Sequence, residues 1–73
     1  MSQTTAAILD AIATSQRETR RVTVRAIDST DAIGALHAVD DYGDRSDEND
    51  GSWDVWGGSE DDGTAWRLRI VFG

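Results

Sequence analysis

Apolar residues recur along this chain with a period that changes several times, and each change marks an element. In the opening stretch, MSQTTAAILDAIATSQRETRR, Ile8, Ile12 and Ser15 fall on one side of a helical repeat, with Leu9 and Ala11 beside them. Ser2 or Thr4 can cap, and Ala, Leu, Gln and Arg favour continuing the turns, so the spacing predicts a helix over about residues 4–17. The period then drops to two. In Arg21-Val22-Thr23-Val24-Arg25-Ala26-Ile27, the residues Val22, Val24 and Ala26 share one face, and Arg21, Thr23 and Arg25 share the other, which is the signature of a half-buried strand. Asp28-Ser29-Thr30-Asp31 supplies a cap and a first-turn carboxylate, and Ala32, Ile33, Leu36 and Val39 return to helical spacing. A second helix is expected over about residues 30–39, weakened at Gly34 by roughly 1 kcal/mol relative to alanine.

Residues 40–51, DDYGDRSDENDG, show no period and read as an acidic loop. Alternation resumes at Ser52-Trp53-Asp54-Val55-Trp56. After the turn cluster GGSEDDG it is clearest of all from Thr64 to Phe72, where Trp66, Leu68, Ile70 and Phe72 oppose Ala65, Arg67, Arg69 and Val71. The two tryptophan-bearing strands predict a hairpin closed by the seven residues 57–63.

The expected fold class is therefore α+β: an N-terminal helix followed by a β-α-β-β unit, with a three-stranded sheet in the order 1-3-2 packed on a helix. A crossover would make the first two strands parallel, and the hairpin would set the third antiparallel to its partner. Val22, Val24, Trp53, Val55, Trp66, Leu68, Ile70 and Phe72 would face the second helix with Ile33 and Leu36. The first helix would cover the opposite sheet face or meet a second copy of the chain, making a homodimer through its Ile8, Leu9 and Ile12 stripe. One domain is expected over residues 1–73, divided into the helix (1–17) and the β-α-β-β unit (21–72) with its acidic loop (40–51).

Composition narrows the chemistry. The 73 residues, of which 38% are hydrophobic, leave room for a single small core. The absence of cysteine excludes disulfides, zinc–thiolate sites and thiol nucleophiles, and a single histidine, His37, excludes multi-histidine metal sites. No apolar run approaches the length of a membrane span, and no basic stretch leads into one at the N-terminus, so a cytoplasmic protein is expected. His37, between Leu36 and Ala38, has no neighbouring nucleophile in any triad-like order, and its bland reading is a structural histidine. The EF-hand template fails as well. With Gly51 at its sixth position, the twelfth is Gly57 rather than glutamate, and with Gly63 at the sixth the first is Gly58. No enzyme, metal or cofactor is expected.

Charge is the unusual feature. Fourteen acids face seven arginines and no lysine, for a net charge of -7. Ten of the acids, Asp40, Asp41, Asp44, Asp47, Glu48, Asp50, Asp54, Glu60, Asp61 and Asp62, lie between residues 40 and 62 with the single Arg45, so this segment carries -9 and the rest of the chain +2. Such a field repels nucleic acid and anionic membrane and attracts basic protein surfaces. Residues two apart on an extended chain are separated by roughly 6.6 Å, close to two of the phosphate steps of about 3.4 Å along a DNA strand. Rows of carboxylates can thus occupy a basic groove built for DNA, and these ten acids are the candidate partner-binding residues. Two other readings compete. In a salt-adapted structural or interaction module the acids are merely hydrated surface, although salt adaptation should spread them over every face. In an open-sheet nucleic-acid binder, Arg21, Arg25, Arg67 and Arg69 would surround Trp56 and Thr23, unless they pair with Asp54, Glu18 or the loop acids.

With its acidic blocks DDYGDRSDENDG (40–51) and GGSEDDG (57–63) on a β-α-β-β layout from Arg21 to Phe72, the chain resembles the small acidic anti-CRISPR proteins of phages and mobile elements. The likeness is one of composition and topology, without a shared motif. It implies a non-enzymatic inhibitor in the prokaryotic host cytoplasm that binds a Cas effector complex, or another basic nucleic-acid-binding protein, and blocks DNA engagement.

Overall fold

A computed structural model describes residues 2–39, 42–48 and 51–72. The order of elements is α1 (Gln3–Glu18), β1 (Arg21–Ala26), α2 (Ser29–Leu36), β2 (Tyr42–Glu48), β3 (Ser52–Gly57) and β4 (Trp66–Phe72). The architecture is α+β, with an N-terminal helix and a four-stranded mixed sheet in the order β1-β4-β3-β2.

The helices form where their caps allow. The Ser2 hydroxyl accepts from the Thr5 N–H at 3.0 Å to start α1, and the Asp28 carboxylate accepts from the Asp31 N–H at 2.8 Å to start α2. Helix α1 stops at Thr19, whose φ of 55° is left-handed, a conformation that β-branched residues rarely adopt. The helix ends are tied to the rest of the fold by two hydroxyls. Thr4 donates to the Asp31 carboxylate at 2.6 Å, which joins the start of α1 to the start of α2. The buried Ser15 hydroxyl donates to the Arg20 carbonyl at 2.6 Å and accepts from the Arg67 N–H at 2.9 Å, joining the end of α1 to the start of both β1 and β4. The Thr4 hydroxyl, and after it the Ile27 N–H, hold the Asp31 carboxyl below its ordinary range.

Alternation along the strands sends one face of the sheet to the core. Register places Val22 beside Leu68, Val24 beside Ile70, Trp53 beside Ile70 and Val55 beside Leu68. These side chains close around Ile8, Ile12, Ala32, Ala35 and Leu36 from the two helices, and Ile8, Leu68 and Ile70 have no exposed surface at all. Trp53 is held between two partners. Phe72 meets it edge-on, with ring centroids 4.8 Å apart, and the Arg45 guanidinium lies 4.1 Å from its ring centroid.

Three expectations are corrected. First, the sheet has four strands: much of the segment expected to be an acidic loop forms β2, paired antiparallel with β3 from Tyr42↔Gly57 to Glu48↔Ser52 with an irregularity between Tyr42 and Asp44. Its Asp, Gly, Ser and Glu residues are poor strand formers. An edge strand nevertheless needs only one ladder, and charge on an edge is what keeps it from pairing further. Second, the strand directions differ. The most apolar strand does lie between β1 and β3, but it is β4 that runs parallel to β1, and β3 runs antiparallel to β4. The crossover through α2 therefore leads to the added strand β2, which runs in the same direction as β1. Third, α1 does not cover the opposite face of the sheet. It packs on β1 and β4 beside α2, within the same layer. Its Ile8 and Ile12 are buried there, and Leu9 alone of the three is left exposed.

This placement of α1 is testable. Ile8→Ala should cost about 2–5 kcal/mol, as truncation of a fully buried aliphatic side chain does. Chemical denaturation of the purified variant checks this. A helix that served only as an association surface would instead leave monomer stability unchanged.

Candidate functional site

Because both helices lie on one side, the other face of the sheet is open, and strand register decides what it displays. From β1 come Arg21, Thr23 and Arg25, all exposed, and from β4 Arg67, Arg69 and Val71. The cross-strand partners on β3 are Trp56 opposite Arg67, Asp54 opposite Arg69 and Ser52 opposite Val71. Asp44 on β2 stands opposite Trp56. The face is thus divided lengthwise, with arginines on β1 and β4 and carboxylates on β3 and β2. Arg21 reaches across β4 to the half-buried Asp54, with 3.2 Å between guanidinium nitrogen and carboxylate oxygen. An exposed pair of this kind contributes under about 1 kcal/mol, but it spans the boundary between the two charge zones.

The ten candidate partner-binding acids are not equivalent in this frame. Asp44 is exposed on the edge strand, and one of its oxygens accepts from the Arg45 N–H at 2.8 Å. Asp47 and Glu48 occupy the end of β2, at the register positions opposite Trp53 and Ser52. Asp40, Asp41 and Asp50 lie outside the described residues. Asp54 is engaged by Arg21, one of the pairings the sequence allowed. Glu60, Asp61 and Asp62 sit in the loop between β3 and β4, where all three are exposed.

That loop is fixed by its own polar groups. The Ser59 carbonyl accepts from the N–H groups of Thr64 and Ala65 at 3.0 and 3.1 Å, and the Ser59 N–H donates to the Thr64 hydroxyl at 3.0 Å. The Thr64 hydroxyl in turn donates to the Asp62 carboxylate at 2.6 Å, and the Thr64 N–H donates to the same oxygen at 3.1 Å. These two donors, the hydroxyl foremost, hold the Asp62 carboxyl below its ordinary range. Asp62 is therefore committed to holding the loop, while Glu60 and Asp61 present their carboxylates to solvent. Gly58 makes the turn possible. Its φ of 72° is left-handed, and a Cβ there would overlap the Thr64 carbonyl.

Other chemistry is sparse. Among the described residues, no group of three or more His, Asp or Glu side chains is placed to hold a metal ion. His37 caps the end of α2 and is exposed. No helix among the described residues is long and apolar enough to cross a membrane. Sequence reasoning missed the role of Arg45: the lone cation of the acidic block covers the face of Trp53 and secures the edge strand. The available signal was its position two residues before Asp47 and one after Asp44, a strand period hidden by poor strand composition.

Removing the Thr64 hydroxyl tests this account of the loop. In Thr64→Val, the Asp62 carboxyl should titrate closer to its ordinary value of 3.8. In the unaltered chain the folded value is lowered, so the associated stabilisation is fully present above the unfolded value and drains away as pH falls through the folded one. The variant should lose that increment throughout the higher range and depend less on pH in the acidic range. Carboxyl chemical shifts followed through a pH titration check the direction, and an unmoved Asp62 would show that Thr64 is not the cause.

No family model, curated protein or solved structure matches the chain.

Proposed function

We propose that this protein is a non-enzymatic, acidic DNA mimic. Its edge strand β2, its hairpin end and the Glu60–Asp61 loop occupy the basic groove of a nucleic-acid-binding protein and exclude DNA from it. The resemblance to small acidic anti-CRISPR proteins makes a Cas effector complex in the prokaryotic cytoplasm the leading partner.

The observation that carries the reading is the segregation of charge. The segment from 40 to 62, with its charge of -9, supplies β2, β3 and the loop beyond, on the far side of the sheet from β1. Among the described residues, no helix makes as extensive a contact with β2 as α1 makes with β1 and β4. Asp44 on the outer strand and Glu60 and Asp61 in the loop are exposed, where a protein groove can receive them. Salt adaptation gives no reason for such segregation. The arginine face fits direct nucleic-acid binding less well, since it is confined to two strands, and at least one of its cations, Arg21, already holds a carboxylate.

Exposed charge pairs each contribute under about 1 kcal/mol, so binding would be spread over many of them. Asp47→Asn alone should have little effect on affinity for the effector complex. The combined change Asp44→Asn, Asp47→Asn, Glu48→Gln and Asp50→Asn should abolish binding while leaving the circular dichroism spectrum intact. The unaltered protein should compete with target DNA and lose affinity steeply with salt, since the Debye length falls from about 10 Å at 0.1 M to about 3 Å at 1 M. Affinity measured for the fourfold variant at two salt concentrations decides the matter, and an unchanged value would return the acids to the role of hydrated surface.

A further inference from the structure

One register row on the open face of the sheet carries both signs of charge. Its ladder partners run Arg21, Arg67, Trp56 and Asp44, from β1 across β4 and β3 to β2. All four are exposed, Trp56 to 41%. The next row repeats the change of sign, with Arg69 on β4 beside Asp54 on β3. The cations of the first row are poorly matched within one chain. Arg21 and Arg67 stand directly beside each other, and like charges at opposed positions are unfavourable. Arg21 reaches across β4 to Asp54, while Arg67 forms no ion pair among the described residues.

A row that reads cation, cation, ring, carboxylate has a simple complement, which is the same row reversed. A two-fold axis along the strands, in front of the open face and between β4 and β3, supplies that reversal. It sets β1 of one copy over β2 of the other and β4 over β3, and keeps every residue at its own height along the strands. Arg21 then faces Asp44 of the second copy, and Arg67 faces the ring of Trp56 of the second copy. Each contact occurs twice, as an isologous interface requires. A guanidinium over an indole is a favourable pairing. In the next row Arg69 comes to face Asp54 of the second copy. An axis across the strands would set β1 over β1 and arginine against arginine, so charge selects between the two arrangements.

We propose that the open face is the interface of a weak homodimer with the first geometry. The occupant is a second copy because the face is complementary to itself, row by row. Four strands about 4.8 Å apart and six residues of about 3.3 Å make a face of roughly 19 by 20 Å, or about 400 Å² from each copy. Stable interfaces bury about 1,200–2,000 Å² in total, so this one is transient, with half-association at a concentration on the order of 0.1 mM. The net charge of -7 on each copy resists approach, and at about 0.15 M salt a Debye length of about 8 Å confines that repulsion. The inference goes beyond the mimicry reading and does not need it. Asp44 cannot serve both contacts at once, so dimer formation and entry of that carboxylate into a basic groove exclude each other.

Sedimentation equilibrium of the full chain alone, from about 10 µM to about 1 mM in about 0.15 M salt, tests the interface with no other partner present. The mean mass should rise from one chain toward two, and by NMR the Trp56 indole N–H signal should move with concentration. Asp44→Arg and Arg21→Asp should each weaken association by more than about tenfold, because each sets like charge against like twice across the interface. An equimolar mixture of the two variants should associate again, since the altered residues then face opposite charges. Circular dichroism of each variant alone checks its fold. A monomer mass unchanged up to about 1 mM overturns the proposal. So does association that leaves the Trp56 signal still, association that survives both changes, or a mixture that stays monomeric.

Discussion

A single helical layer covers the sheet, and that constraint governs the rest of the molecule. A chain of 73 residues can make two helices beside four strands, but it cannot cover both faces of the sheet. Each strand must therefore commit one face to the core and leave the other to water. Alternation in β1, β3 and β4 meets that demand residue by residue, and Trp66, Leu68 and Ile70 on β4 share one buried cluster with residues of both helices. The charged residues of β1, β3 and β4 then have nowhere to go but the open face. The arrangement of arginines and carboxylates follows from the same pleat that builds the core.

With so thin a core, the joints between layers matter. The Ser15 hydroxyl serves the end of α1, the start of β1 and the start of β4 at once, and it is almost wholly buried while doing so. Thr4 and Asp31 do the equivalent at the other end of the helical layer. Both joints are short polar contacts made by residues that a purely apolar stripe would have replaced with alanine or valine. They fix the height and rotation of α1 over the sheet, which hydrophobic contact alone leaves loosely specified.

How much of this was legible in the sequence differs by element. The strand from Trp66 to Phe72, its hairpin partner and the core-facing residues could be read because period two carries its own evidence, and both helices could be read from caps and spacing. β2 could not. Its described contacts include one hydrogen-bonded ladder and the packing of Arg45 on Trp53, and neither leaves a hydrophobic trace. The position of α1 was also hidden, since an apolar stripe shows that a surface must be met but not which one. Of the candidate site, the acids could be located but their engagement could not. Asp62 is bound to a hydroxyl two residues away, and Asp54 is reached by an arginine 33 positions earlier in the chain.

Strand order also explains why charge of opposite sign can share one small sheet without cancelling. β1 and β2 are the two edges, separated by β4 and β3, and the sequence places its arginines toward one edge and its acids toward the other. Arg21 and Asp54 bridge the middle, and Asp44 on the outer strand is exposed. An uncovered edge is ordinarily a liability, because its free ladder can recruit another strand. Here the acids on β2 set like charge against like when two such edges meet, while leaving the edge attractive to a basic surface. On the proposed reading, one distribution of charge would oppose edge-to-edge self-association and select the sign of the partner, so solubility and recognition would draw on the same residues rather than competing for them.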